Sequence, residues 1–254
     1  MGRGSTTRAA IAALLIGLGC TYAGQTKSGG TPEEIFEAAK REYEEGHYFD
    51  AVQKLEAFID QHPGSVLVDQ AIFVLGQSYA AQKDWVMAAT EFERLVRDFP
   101  ESRSTCDAEF LLGQCYWRQS RRAQYDQSET RRALDQLRRF QNRCLEHPSK
   151  TAADSLIGLA QDRLAEKHYR AAELYRKRKE RQAAVVYCDL IVNDFPDTRW
   201  ICPARLMRAD LLLQVARAED AGADIEWLEA NCPPEVASKR ELEELKRRFA
   251  QGGP

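Results

Sequence analysis

The chain has 254 residues, which is enough for one or two domains with a buried core. Apolar residues make up 44% and charged residues 30%, and the formal net charge is −3. This balance is that of a globular protein with a highly charged surface. It argues against a nucleic-acid-binding protein, because such proteins present an excess of Lys and Arg.

The first predicted element, residues 1–19, is a signal peptide rather than part of the fold. Arg3 and Arg8 precede an apolar run, residues 9–19, that is too short to span a bilayer. Cys20 follows this run directly, as in bacterial lipoproteins, so we predict that Cys20 is lipidated. Cleavage by the ordinary signal peptidase and an uncleaved anchor are the alternatives. Residues 20–31 are polar and glycine-rich, which predicts a flexible tether between the lipid and the domain.

Residues 69–100 carry the tetratricopeptide-repeat (TPR) pattern, which is L-G-x2-Y, then A-x3-F, then P, on a helical hairpin of about 34 residues. The matching residues are Leu75, Gly76, Tyr79, Ala88, Phe92 and Pro100. The final Pro ends the second helix because it cannot continue one. The phrase "RDFPESR" (97–103) returns as "NDFPDTR" (193–199). Ser102 and Thr198 in these phrases are candidate caps for the helices that follow.

Aligning the other repeats on their final Pro places their starts near Pro32, Cys106, Ala165 and Cys202. The extra residues 151–164 predict an extension of the first helix of repeat 4, and residues 235–251 predict a charged closing helix. The predicted fold class is all-α, a TPR superhelical solenoid of about five helix-turn-helix repeats plus a C-terminal helix. We expect an N-terminal half (32–150, repeats 1–3), a C-terminal half (151–251) and a tail (252–254).

One face of the first helices in repeats 1–3 predicts a peptide-binding groove. Helical spacing places repeat positions 5, 9 and 12 on the concave face. The residues at these positions are Phe36, Lys40, Tyr43, Phe73, Gln77, Phe110, Gln114 and Trp117. Aromatic rings beside hydrogen-bonding groups suit peptide recognition. The alternative is that the three Phe residues, each 37 residues from the next, belong to the core.

Two segments are rich in basic residues. Residues 118–143 contain eight Arg and three acids, and residues 176–181 read "RKRKER". Such runs are usually solvated helix faces, and the alternative is a docking surface for acidic segments of a partner.

Six Cys follow Cys20, and an exported compartment permits disulfides between them. In a helix pair, the start of the first helix lies beside the end of the second. Cys106 and Cys144 occupy such ends in repeat 3, and Cys202 and Cys232 occupy them in repeat 5, so we predict these two disulfides. The remaining two thiols, at positions 115 and 188, are predicted to be buried.

Catalytic and metal-binding motifs are not found in the sequence. There is no phosphate-binding glycine loop, no G-x-S-x-G and no H-E-x-x-H, and the four His are scattered. We therefore predict a protein that is not an enzyme, with no cofactor and no metal site.

Two segments resemble a known family more specifically than the repeats do. Residues 125–140, "YDQSETRRALDQLRRF", resemble the R-D-Q-(S/T) stretch of the BamD family of outer-membrane lipoproteins, with Tyr125 in place of the usual Arg. Residues 172–198, "AELYRKRKERQAAVVYCDLIVNDFPDT", resemble that family's A-x-F/L-Y-x-K/R-x4-A-A-x5-I-x2-Y-P-x-T stretch.

The resemblance implies a scaffold, lipid-anchored to the outer membrane and facing the periplasm, within the β-barrel assembly machine. Its N-terminal repeats would bind unfolded outer-membrane protein precursors, whose targeting signal ends in an aromatic residue. Its C-terminal repeats would dock the barrel-forming subunit and accessory lipoproteins. One alternative is another exported TPR scaffold, such as the Tol–Pal-associated coordinator of cell-wall synthesis. The other is an enzymatic role, either as the regulatory subunit of a catalytic partner or as a cell-wall hydrolase.

Overall fold

The computed structural model of the protein describes residues 30–233 and 239–251, and every regular element within them is an α-helix. The helices are α1 (Pro32–Glu44), α2 (Tyr48–Gln61), α3 (Val68–Ala81), α4 (Trp85–Asp98), α5 (Thr105–Gln119), α6 (Ser128–Arg143), α7 (Lys150–Lys177), α8 (Arg181–Asp194), α9 (Ile201–Gln214), α10 (Ala218–Asn231) and α11 (Lys239–Ala250). The signal peptide, Cys20, most of the tether and the tail lie outside the described residues.

The helices form five successive pairs followed by α11. Each helix packs chiefly against its neighbours in the chain, as in a repeat solenoid. The all-α TPR fold predicted from the sequence is thereby confirmed. Helix α7 runs without interruption over 28 residues, so residues 151–164 lengthen the first helix of repeat 4. No helix in the described part of the chain is both long and apolar enough to cross a membrane.

The start of the solenoid is marked by a capping box at α1. The Thr31 hydroxyl accepts a hydrogen bond from the backbone N–H of Glu34, and the Glu34 carboxylate accepts one from the backbone N–H of Thr31. Pro32 occupies the first turn, where its missing N–H costs nothing.

The capping predicted for Ser102 and Thr198 is wrong. Helix α5 begins after Ser104 and α9 begins after Trp200, and neither helix has a side-chain cap. The Ser102 hydroxyl instead donates to a carboxylate oxygen of Asp69 at 2.6 Å, and the Thr198 hydroxyl donates to the carbonyl of Phe195. An extra turn after each Pro delays the start of the next helix, so Ser102 and Thr198 lie too early in the chain to cap it. Their hydrogen bonds stabilise the loops between repeats instead.

The turn inside a repeat requires one residue with a left-handed backbone. Gly46 has φ 84°, and Lys83, Lys179 and Ala216 have φ between 60° and 63°. These positions are 37 residues apart within each half of the chain, from 46 to 83 and from 179 to 216. Repeat 3 replaces this tight turn with a longer loop, residues 120–127.

Two glycines allow the paired helices to approach closely. A Cβ atom added at Gly76 would lie 2.7 Å from the Phe92 ring, and one added at Gly113 would lie 2.6 Å from the Leu137 side chain. Real Cβ atoms do not approach other atoms so closely, so a larger residue must displace a buried neighbour.

The substitution Gly113→Ala is therefore expected to lower the free energy of unfolding by about 1–3 kcal/mol. Urea denaturation followed by circular dichroism would measure this loss. Gly64→Ala is a suitable control, since nothing lies within 4 Å of a Cβ added there. Equal free energies of unfolding for the two variants would contradict this prediction. They would show that the two helices of repeat 3 can move apart to accommodate the added methyl group without loss of stability.

Neighbouring repeats are joined by hydrogen bonds that recur with the repeat. In repeats 2 and 3, a tyrosine hydroxyl of the first helix donates to a Glu of the preceding repeat, and a glutamine amide near the end of that helix donates to a backbone carbonyl of the preceding repeat. The bonds are Tyr79 to Glu56 (2.5 Å), Tyr116 to Glu93, Gln82 to Tyr48 O (3.3 Å) and Gln119 to Trp85 O (3.1 Å). This ladder fixes the relative positions of repeats 1–3.

Candidate peptide-binding site

Two of the three Phe residues predicted to line the groove are buried in the core instead. Phe36 is 2% exposed and Phe110 is 8% exposed. The Phe36 ring lies 5.8 Å from the ring of Phe58, and Phe110 lies 5.5 Å from Phe140, so each packs on the second helix of its own repeat. The alternative interpretation, that these rings belong to the core, is correct for both residues.

The third Phe and the polar positions remain partly exposed. Phe73 is half-buried, with its ring 6.0 Å from Phe92. The other partly exposed members of the predicted groove are Lys40, Tyr43, Gln77, Gln114 and Trp117. We call these six residues the N-terminal face. It offers one cation, two amides and three aromatic rings, which can contact a peptide by hydrogen bonds and by apolar packing.

Trp117 connects the N-terminal face to the C-terminal half through its contact with α7. The Arg163 guanidinium of α7 lies 3.8 Å from the centre of the Trp117 ring, and Arg163 also donates to the Ser120 hydroxyl at 2.5 Å. Burial lowers the pKa of Arg163, but the residue stays charged and the cation–π contact is kept.

The family-like segment at 125–128 has a structural role in the α5–α6 loop. Gln127 is fully buried, and its amide donates to the backbone carbonyls of Arg122 (2.8 Å) and Tyr125 (3.2 Å). Its amide oxygen accepts from the Thr130 hydroxyl at 2.7 Å. A backbone hydrogen bond from Ser128 lowers the pKa of Asp126. This structural role was not predicted from the sequence, although the resemblance at Asp126 and Gln127 marked the segment.

The basic segment 118–143 is only partly neutralised. Arg132 pairs with Glu93 and Glu129, and Arg143 pairs with Glu109. Arg121 lies over the exposed Tyr125 ring at 4.5 Å. The arginines that form no ion pair within the described residues are Arg118, Arg121, Arg122, Arg131, Arg138 and Arg139. The segment is therefore a solvated surface with an excess of positive charge.

A buried ion network joins α8, α9 and α10 in the C-terminal half. Asp224 has no exposed surface and accepts hydrogen bonds from Arg205 (2.7 Å) and Arg208 (2.6 Å). Arg208 also donates to Asp189 at 2.7 Å. Burial would lower the pKa of Arg208, but its bonds to Asp224 and Asp189 outweigh that effect and raise it. This network was not predicted from the sequence, because its two acids and two arginines are separated along the chain.

A cavity of about 710 Å³ lies between α7, α9 and α11. Its walls include Tyr169 and Arg176 of α7, Met207 of α9, and Arg240 and Leu245 of α11. We call it the C-terminal cavity. Volumes of 300–1,000 Å³ are typical of ligand sites.

Both predicted disulfides are present in the structure. Cys106 bonds to Cys144 and Cys202 bonds to Cys232, with Cα atoms 5.9 Å apart in each pair. Cys115 and Cys188 are unpaired and buried, and burial raises the pKa of each thiol to about 12. Both thiols are therefore unreactive at neutral pH.

One group of side chains within the described residues has the spacing of metal ligands. Glu42, Glu45 and His47 bring one ligand atom each to within 4.8 Å of the others. Lys54 already bonds to Glu42, and a hydrogen bond from that Lys is the main cause of a lowered pKa at Glu42. The arrangement is that of an ion-paired surface turn.

Comparison with known proteins shows the family. The model of the YfiO family, described as outer membrane lipoproteins, matches residues 29–218. The outer membrane protein assembly factor BamD of Haemophilus influenzae is 24% identical over 75% of this chain and 76% of its own length. BamD of Vibrio cholerae is 21% identical over 76% of this chain and 84% of its own.

Solved structures of TPR proteins are also similar. A tetratricopeptide repeat protein of Parabacteroides merdae is 18% identical, with a TM-score of 0.40 over 87% of this chain and 86% of its own. A TPR protein of Thermus thermophilus is 18% identical, with a TM-score of 0.37 over 87% of this chain and 98% of its own. The family match covers the four first helix pairs and reaches into the fifth. The chain therefore belongs to the YfiO family of outer membrane lipoproteins, as its resemblance to BamD predicted.

Proposed function

We propose that the protein is an outer membrane protein assembly factor that acts as a scaffold rather than as an enzyme. The observation that carries this proposal is the family match over residues 29–218, together with relatives named as assembly factor BamD. The protein would be held at the outer membrane by a lipid on Cys20 and would face the periplasm. A solenoid of helix pairs suits this role, because it presents a long surface to several partners at once.

The two halves of the chain, 32–150 and 151–251, divide the work in this proposal. The N-terminal face binds unfolded outer-membrane protein precursors through Lys40, Gln77 and the partly exposed rings. The C-terminal half docks the barrel-forming subunit and accessory lipoproteins. The ladder of hydrogen bonds between repeats 1–3 supports the first role, since it holds the face rigid before a ligand arrives.

The docking role is tested by affinity purification of the full chain from detergent-solubilised membranes. Co-purification of a large outer-membrane barrel protein is the expected result. Recovery of Tol–Pal components alone would overturn the proposal in favour of the other exported scaffold.

The precursor-binding role is tested by the double substitution Lys40→Ala and Gln77→Ala. Both side chains are partly exposed, so their loss should change binding more than folding. We expect affinity for a precursor C-terminal peptide to fall about tenfold, roughly 1.4 kcal/mol. Fluorescence anisotropy of a labelled peptide measures this change.

The matched control is Arg41→Ala with Gln53→Ala, which removes the same kinds of group from exposed positions outside the face. An equal loss of affinity in both double variants would contradict a specific role for the N-terminal face.

A further inference from the structure

We propose that the C-terminal cavity binds an extended peptide segment of a partner protein, in which a carboxylate lies close to an apolar side chain. The inference rests on the docking role proposed above for the C-terminal half and names the chemistry that the partner must present there.

Two of the three arginines in the cavity wall form no ion pair within the described residues. Arg248 pairs with Asp210, and Glu244 pairs with Arg247. Arg176 and Arg240 also line the cavity, and neither forms an ion pair within the described residues. A guanidinium beside a concave surface binds carboxylate well, because its planar donors can make two parallel hydrogen bonds. These two arginines are the groups that an acidic ligand would neutralise.

The floor beside the two arginines is apolar. Met207 and Leu245 are 4% and 5% exposed, and Leu206 and Tyr169 are half-buried. An apolar side chain placed here would lose its contact with water, at a gain of about 25 cal/mol per Å² of buried surface. The ligand therefore needs an apolar group next to its carboxylate.

A second cavity of about 450 Å³ lies next to the first, and Pro203 lines both. Trp200 lines this second cavity, and its ring lies 4.9 Å from that of Tyr169. The indole nitrogen of Trp200 is buried and has no hydrogen-bond partner within the described residues. A buried N–H without an acceptor is unfavourable.

The two cavities together favour an extended polypeptide over a lipid surface. A peptide advances about 3.3 Å per residue, so a few residues span both cavities with a carbonyl at every step. A bilayer surface is flat and cannot fill a concave site.

The test uses the full chain, purified from membranes in detergent, and a set of fluorescent decapeptides blocked at both ends. Each peptide contains a single Asp, followed after one or two residues by Leu, Ile or Phe, in a background of Gly and Ser. We expect at least one peptide to bind with a Kd below about 100 µM in an anisotropy titration. The double variant Arg176→Gln with Arg240→Gln should weaken that binding at least tenfold.

The control variant, Lys177→Gln with Arg178→Gln, removes the same charge from exposed positions outside the cavity and should bind like the original chain. Replacing the peptide Asp by Asn should weaken binding to the original chain but not to the Arg176/Arg240 variant. Such a result identifies the arginines as the partners of the carboxylate.

The proposal is overturned if no peptide of the set binds, or if the control variant loses as much affinity as the cavity variant. It is also overturned if only phosphatidylglycerol vesicles bind in a manner that depends on Arg176 and Arg240. If the peptides fail while the barrel protein still co-purifies, the cavity proposal is wrong and the assembly role stands. If the barrel protein does not co-purify, the assembly role fails whatever the peptides do.

Discussion

The substitution Asp224→Ala is expected to lower the free energy of unfolding by about 3–5 kcal/mol. Asp224 is fully buried and bonds to both Arg205 and Arg208, whose side chains are only 17% and 15% exposed. Removing its carboxylate leaves two guanidinium groups in an apolar interior with too few acceptors. An uncompensated buried charge costs far more than the net value of the intact pair, so the effect should be large.

Urea denaturation of the full chain, followed by circular dichroism, measures the change. The control is Asp189→Ala, which removes the other carboxylate that bonds to Arg208. The Asp189 side chain is 38% exposed, so water can replace it and we expect a loss of about 1 kcal/mol or less. Equal stability of Asp224→Ala and Asp189→Ala would contradict this prediction. It would mean that water reaches Arg205 and Arg208 between α9 and α10 and replaces the lost carboxylate.

The second large effect is expected from Phe36→Ala and Phe110→Ala, each about 3–5 kcal/mol. Both rings are buried against a Phe of the second helix in their own repeat. Truncation removes apolar contacts and leaves a cavity that the surrounding helices cannot close fully. Thermal denaturation would show this as a lower Tm.

Phe73→Ala provides the comparison, because Phe73 is half-buried at the equivalent position of repeat 2. We expect a smaller loss of stability there and a measurable loss of affinity for a precursor peptide. Phe36→Leu separates the two roles further, since it keeps most of the buried volume. If a Phe36→Leu variant folded normally but no longer bound peptide, Phe36 would have to contact the peptide directly, which would contradict its assignment to the core.

The sequence could not decide whether the three Phe residues belong to the core or to the groove. Phe36, Phe73 and Phe110 occupy equivalent places on three helices, and helical periodicity correctly puts them on one side. Each ring lies beside a Phe of the second helix in its own repeat, yet Phe36 and Phe110 are buried and Phe73 is half-buried, so exposure depends on all the neighbours that pack around each ring. Periodicity describes one helix at a time and contains no information about the neighbour that covers it.

The sequence by itself determined the helix pairs, their order along the chain, and which helix ends the two disulfides join. These properties are local or repeat at a fixed period, so Pro residues, small residues and the 37-residue spacing are enough to predict them. The tertiary structure alone decided which rings are buried, that Gln127 organises the α5–α6 loop, and that Asp224 neutralises two arginines. It also decided that Arg176 of α7 and Arg240 of α11 line the same cavity. These features depend on contacts between residues distant in the chain, and such contacts exist only once the solenoid has formed.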